Sequence, residues 1–319
     1  MKRNLPPRLK QFTYIGLSVV AMMLSACQKQ SESITTLNIG YQKYGLLPLV
    51  KARGDLDRTL KAQGINIKWV EFPAGPQLLE GLNVGSVVFG EAGEAPPIFA
   101  QAASPNLVYV ANQPAAPLAE ALIVPKDSNI NSINDLKGKR VVLNKGSNVH
   151  YLLLKILEAN QLKLDDIQVI YLPPADARAA FEKGVVDAWV IWDPFFAAAE
   201  QQLGAKVIAT GQNRVNNYQF YLADKSFAQQ HPQLLKTVIH ELNNSTQWVA
   251  THQNEAAKLL EKPTGLPFSV LKSSISRMGF GVRPISNAVS KEQQYVADAF
   301  YQQRLIPNKI NIQDAVLAK

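Results

Sequence analysis

Apolar and polar positions alternate through Leu37-Asn-Ile-Gly-Tyr-Gln42, which predicts a strand. A helix-compatible stretch follows to Leu60, and residues 65–72 read as a second strand that ends at Pro73. Residues 76–83 carry helical spacing, Gly85 breaks it, and 86–89 form a short apolar strand before an acidic turn, Glu91-Ala-Gly-Glu94. The same order then recurs: strand 140–143, turn 144–148, helix 149–160, strand 167–172, and helix 175–183 stopped by Gly184. Ile67-Lys-Trp-Val-Glu-Phe-Pro73 matches Ile167-Gln-Val-Ile-Tyr-Leu-Pro173 at an offset of 100, and Gly85 matches Gly184 at an offset of 99.

One strand–helix unit written twice predicts two similar α/β lobes, each with a mostly parallel sheet flanked by helices. Beyond residue 226 the pattern is helical, with no third copy, and the chain is expected to return to the first lobe. That return needs two crossings, for which the apolar stretches 119–124 and 218–223 are placed. The expected division is residues 37–120 plus 222–319 for one lobe and 121–221 for the other, joined by a two-stranded hinge. Such lobes close over a small molecule and bury it from water.

The N-terminus has a different texture. Lys2, Arg3, Arg8 and Lys10 precede an apolar run from Phe12 to Met23, with no acidic residue before Cys27, the layout of a secretory signal. The run covers far less than the roughly 30 Å of a bilayer's hydrocarbon core. Leu24-Ser-Ala-Cys27 resembles the bacterial lipobox, which implies cleavage after residue 26, a lipidated Cys27, and a tether through residue 36. Loss of residues 1–26 removes four of 33 basic residues and none of the 25 acidic ones, so the mature net charge falls from +8 to +4. Neither a lysine-rich run nor a basic aromatic helix is present, which argues against nucleic acid as a partner. Cys27 is the only cysteine, excluding a disulfide framework or a cysteine metal cluster. No cofactor is expected, and a monomer is.

In a parallel sheet the ligand lies outside the carboxyl ends of the strands. Lys145-Gly-Ser-Asn148 occupies such a turn and opens a helix, so Gly146, Ser147 and Asn148 are candidates for holding an anion on free N–H groups. Gly75 and Pro76 begin a helix in the corresponding turn of the first unit, and Gln42 follows the first strand. Glu91 and Glu94 flank Gly93; with no histidine nearby, a helix cap or a contact to a ligand amine suits them better than metal or glycoside chemistry. Trp189 is expected in the core, with Trp192 and Asp193 at the strand end facing the ligand. Tyr218, at the second crossing, completes the candidate set.

These residues lie within longer motifs. Gly40-Tyr-Gln-Lys43, Trp69-Val-Glu-Phe-Pro-Ala-Gly-Pro-Gln77, Pro96-Pro-Ile-Phe-Ala-Gln101, Asp176-Ala-Arg-Ala-Ala-Phe181 and Asp187-Ala-Trp-Val-Ile-Trp-Asp-Pro194 resemble the aliphatic sulfonate-binding proteins of ABC importers. The resemblance extends over residues 37–310. It implies a two-lobed periplasmic-binding-protein fold of type II, capture of an alkanesulfonate, and delivery to a membrane permease driven by an ATPase, from a lipid-anchored position outside the cytoplasm. The wider superfamily includes binders of taurine, nitrate and pyrimidine precursors, which remain alternatives. An enzyme resembling a sulfinate-cleaving desulfinase is the rival of another class. It would need a cysteine nucleophile, and the sole cysteine is assigned to the anchor.

Overall fold

A computed structural model describes residues 34–317. The expected signal segment and Cys27 lie outside the described residues. In chain order the strands are β1 (Thr36–Tyr41), β2 (Asn66–Glu71), β3 (Phe89–Gly93), β4 (Leu107–Asn112) and β5 (Glu120–Val124), then β6 (Arg140–Leu143), β7 (Gln168–Tyr171), β8 (Ala188–Trp192), β9 (Lys206–Thr210) and β10 (Gln219–Asp224). They form two five-stranded sheets, ordered β2-β1-β3-β10-β4 and β7-β6-β8-β5-β9. This is the periplasmic-binding-protein architecture, with helices packed on both sheets.

The two orders are one pattern used twice. In each sheet the first strand of the unit pairs in parallel with the second and the third. The fourth position is taken by an antiparallel strand arriving from the other half: β10 lies between β3 and β4, and β5 between β8 and β9. The apolar runs expected to be crossings are therefore these inserted strands. Four of the six residues of Gln219–Asp224 and all of Glu120–Val124 except its first are apolar because both faces of a central strand are covered. The crossings themselves are the polar and proline-bearing segments 113–119 and 211–218. They pair with each other through Ala116 N–H to Asn216 O at 3.0 Å, and Gln113 N–H reaches Gln219 O at the start of β10 at 2.8 Å.

One boundary moved further than the rest. The third strand, expected at 86–89, is Phe89–Gly93, so the acidic turn is the strand itself, buried at every position. Its place between β1 and β10 demands a continuous ladder, and that long-range pairing overrides the local turn signal.

The tail is helical as expected. Pro232–Thr251 and Gln253–Thr264 pack against the helix Leu47–Arg53 beside the first sheet. Phe268–Ser276 instead packs on Phe195–Leu203, beside the second sheet. Arg277 seals this contact, pairing with Glu200 at 2.6 Å and Asp193 at 3.4 Å and lying over the Phe196 ring. No helix among the described residues is long and apolar enough to cross a membrane.

Candidate functional site

The carboxyl ends of the strands from both sheets meet at a cavity enclosing about 350 Å³, part of it open to solvent. Gln42 and Tyr44 come from the turn after β1, Gly75 from the turn after β2, and Gly93 and Pro96 from the end of β3. Across from them stand Ser147 and Asn148 after β6 and Trp192 at the end of β8. Asn217 and Gln219 enter with the returning crossing. None of these ten side chains carries a charge.

The donors for an anion come from the backbone. The helices Gly75–Asn83, Pro96–Ala103 and Asn148–Ala159 all begin at its wall. The first N–H groups of a helix have no intrahelical acceptor, and the macrodipole places partial positive charge there. Prolines at 76, 96 and 97 remove some donors, which leaves the N–H groups of Gly75 and Gln77 on one side and of Asn148 and Val149 on the other.

Asn148 also ties the halves together. Its Oδ1 accepts the N–H of Ala95 at 3.2 Å, and its Nδ2 donates to Asn217 Oδ1. Asn217 Nδ2 in turn donates to Ala116 O at 2.9 Å. This chain links the second-sheet helix to the first-sheet turn and to both crossings. It requires a glycine opposite: a Cβ on Gly93 would lie 2.1 Å from Asn148 Oδ1.

Gln42, Gly75, Gly93, Ser147, Asn148 and Trp192, six of the residues chosen from sequence, line this cavity. The Ser147 hydroxyl donates to Asn144 O at 2.7 Å, so it orders the turn as well as facing the cavity. Five others lie behind the wall. Pro76 sits one position into its helix and has no N–H to offer. Gly146 adopts φ +72° to turn the chain, and its N–H is directed to His150 Nδ1 at 3.3 Å. Asp193 is fully buried, where it accepts the Ala197 N–H at 3.0 Å and meets Arg277; burial raises its carboxyl to about 7 against those two contacts. Tyr218 donates its N–H to Glu94 at 3.1 Å and leans on Phe220. Glu94 is that acceptor, 1% exposed and raised to about 7 by burial, despite hydrogen bonds from Tyr218 and Asn217.

Glu91 proves to be a helix cap. Its carboxylate accepts the N–H groups of Leu46, at 2.8 Å, and Leu47, at 3.0 Å, where the helix Leu47–Arg53 begins, and also Gln113 Nε2 at 3.1 Å. Burial raises it to about 7, with the two backbone bonds opposing. Trp189 is fully buried among Phe181 and Phe195, as expected from sequence. Tyr44, Pro96, Asn217 and Gln219 were not singled out. Asn217, at φ +50°, carries a weak signal as half of an Asn-Asn pair, a residue type that tolerates the left-handed region. Pro96 carries one as a helix opener. Tyr44 and Gln219 have none, because only the tertiary fold brings them to the cavity. Among the described residues no three His, Cys, Asp or Glu side chains are grouped to hold a metal ion.

The model of the NMT1/THI5-like family matches residues 60–256. The alkanesulfonate-binding protein SsuA of Xanthomonas axonopodis pv. citri, solved with bound MOPS, is 41% identical, with a TM-score of 0.85 over 89% of this chain and 98% of that one. The periplasmic aliphatic sulphonate binding protein SsuA of Escherichia coli is also 41% identical, with a TM-score of 0.81 over 90% of this chain and 93% of its own. An aliphatic sulfonates-binding protein of Bacillus subtilis (strain 168) is 30% identical over 95% of this chain and 93% of the relative.

Proposed function

The chain belongs to the NMT1/THI5-like family and, within it, to the aliphatic sulfonate-binding proteins, and from this we propose that it captures aliphatic sulfonates outside the cytoplasm for an ABC importer. One observation carries the reading: a cavity between two sheets whose donors are backbone N–H groups and neutral side chains, with three helix N-termini at its wall. A sulfonate keeps one negative charge and three acceptor oxygens at physiological pH, and so needs donors and no acceptors. Charge-assisted hydrogen bonds contribute about 1.5 to 3 kcal/mol each. A few of them supply the roughly 8 kcal/mol of a micromolar complex.

In this proposal Gln42 and the N–H groups of Gly75, Asn148 and Val149 hold the headgroup, Ser147 shapes the turn that presents them, and the Trp192 indole packs on the ligand's apolar chain. The lobes in the same proposal are the two sheets with their helices, close to the expected 37–120 with 222–319 and 121–221 but with β10 putting residues 219–221 in lobe one, and the crossings are the hinge on which they close. The permease then selects the closed form. Binding, with no bond broken, suits the residues at hand: the cavity holds no cysteine, and the Ser147 hydroxyl is engaged by a backbone carbonyl rather than by a base.

Calorimetric titration of the full chain with methanesulfonate, a longer alkanesulfonate, taurine and nitrate tests the reading. A sulfonate should bind in the micromolar range; no sulfonate binding below about millimolar defeats it. A lipid on Cys27 would place the receptor at a membrane surface, since two or more acyl chains give stable anchoring. Cys27→Ala should then release the protein from the membrane fraction with its ligand affinity intact.

A further inference from the structure

A second cavity lies against the crossing 211–218, whose Asn216 lines it while the adjoining Asn217 lines the first. It encloses about 860 Å³, part of it open to solvent, between Glu94 and Glu292 on the side of the first sheet and Tyr151 and Arg214 on the side of the second. Glu94 is 1% exposed and lines this cavity. Its Oε2 accepts the Tyr218 N–H, the Asn217 N–H also points at the carboxylate, and Oε1 is left without a well-formed hydrogen bond. A buried carboxylate oxygen without a partner costs stability, so its presence calls for an occupant.

We propose that this cavity binds a small organic cation of the alkylammonium class. The donor count favours it: an ammonium offers three N–H groups and no acceptor, and Glu94 and Glu292 offer carboxylate oxygens. Glu292 is exposed, with only a long contact of 3.4 Å from Asn216 Nδ2 to displace. Tyr151, Pro117 and Val296 give the methylenes an apolar wall. An anion is disfavoured, because two carboxylates face a single guanidinium, and Arg214 already donates to the carbonyl oxygens of Thr210 and Gln212. The occupant would touch both halves of the molecule next to the crossings, adding a contact made only when they are together.

The probe is n-butylammonium, titrated calorimetrically into the full chain at pH 8, above the value near 7 to which burial raises Glu94. Binding is expected, with n-butanol silent. Glu94→Gln and Glu292→Gln should each weaken it about tenfold or more, as loss of a charged acceptor does. Glu94→Gln keeps an acceptor for the Tyr218 N–H, and Glu292→Gln, away from the sulfonate cavity, should leave methanesulfonate affinity unchanged and so certifies the fold. No butylammonium binding by the wild type, or affinity in both variants equal to that of the wild type, overturns the proposal. Methanesulfonate is titrated separately, so failure of this site and failure of the sulfonate reading give different results.

Discussion

Glu120 is a costly residue to bury. It is fully buried at the start of β5, and neither carboxylate oxygen has a hydrogen-bond partner. Burial, and then the neighbouring Glu94, raise its carboxyl well above the ordinary value of 4.5. The folded protein thus retains a proton there that the unfolded chain releases above about pH 4.5. Stability is full below that value and is lost as pH rises from it through the raised one, by about 1.4 kcal/mol per pH unit. Glu120→Gln does not titrate. Urea unfolding followed as pH rises from 5 should therefore show the variant gaining on the wild type, and parallel pH profiles would refute this. None of it was legible in the sequence, where Glu120 is an ordinary acidic residue before an apolar run. Burial at the junction of crossing and strand arises from strand exchange between the halves. By contrast the place of Ser147, Asn148 and Gly75 at the cavity was legible, because glycine and capping residues between a strand and a helix report a local geometry.

The decisive elements are the turn after β3 and the helix Asn148–Ala159 facing it. Their contact depends on the bare Cα of Gly93, which admits the Asn148 amide. Gly93→Ala puts a methyl group in that space. The overlap is relieved if the halves separate, so the variant is expected to keep most of its thermal stability and to lose methanesulfonate affinity at least tenfold, a cost of about 1.4 kcal/mol. Unaltered affinity would mean that this contact plays no part in closure. At this scale sequence reading did well where period decides. The parallel pairs and most helix starts follow from alternation, prolines and glycines. It did less well at β3, where two acidic residues and two glycines spell a turn while the ladders on either side, to β1 and β10, make a strand.

For the whole molecule, the repeat at an offset of 100 residues revealed two similar units, and the family resemblance implied how they are joined. The exchange of β5 and β10 between sheets was not visible, because a short apolar run reads the same as a crossing or as a central strand. Yet this exchange is what binds the halves: each sheet takes in the last strand of the other repeat, and the crossings hydrogen-bond to each other. The same arrangement sets the helix N-termini of Gly75–Asn83 and Asn148–Ala159 at one cavity, and the proposal is that both hold the sulfonate there. A crystal structure of the protein with methanesulfonate tests that claim most directly. The sulfonate should lie in the cavity beside Trp192, with its oxygens about 2.7 to 3.2 Å from N–H groups at Gly75 or Gln77 and at Asn148 or Val149. A sulfonate bound outside this cavity, or held there by a lysine or arginine side chain, would contradict it.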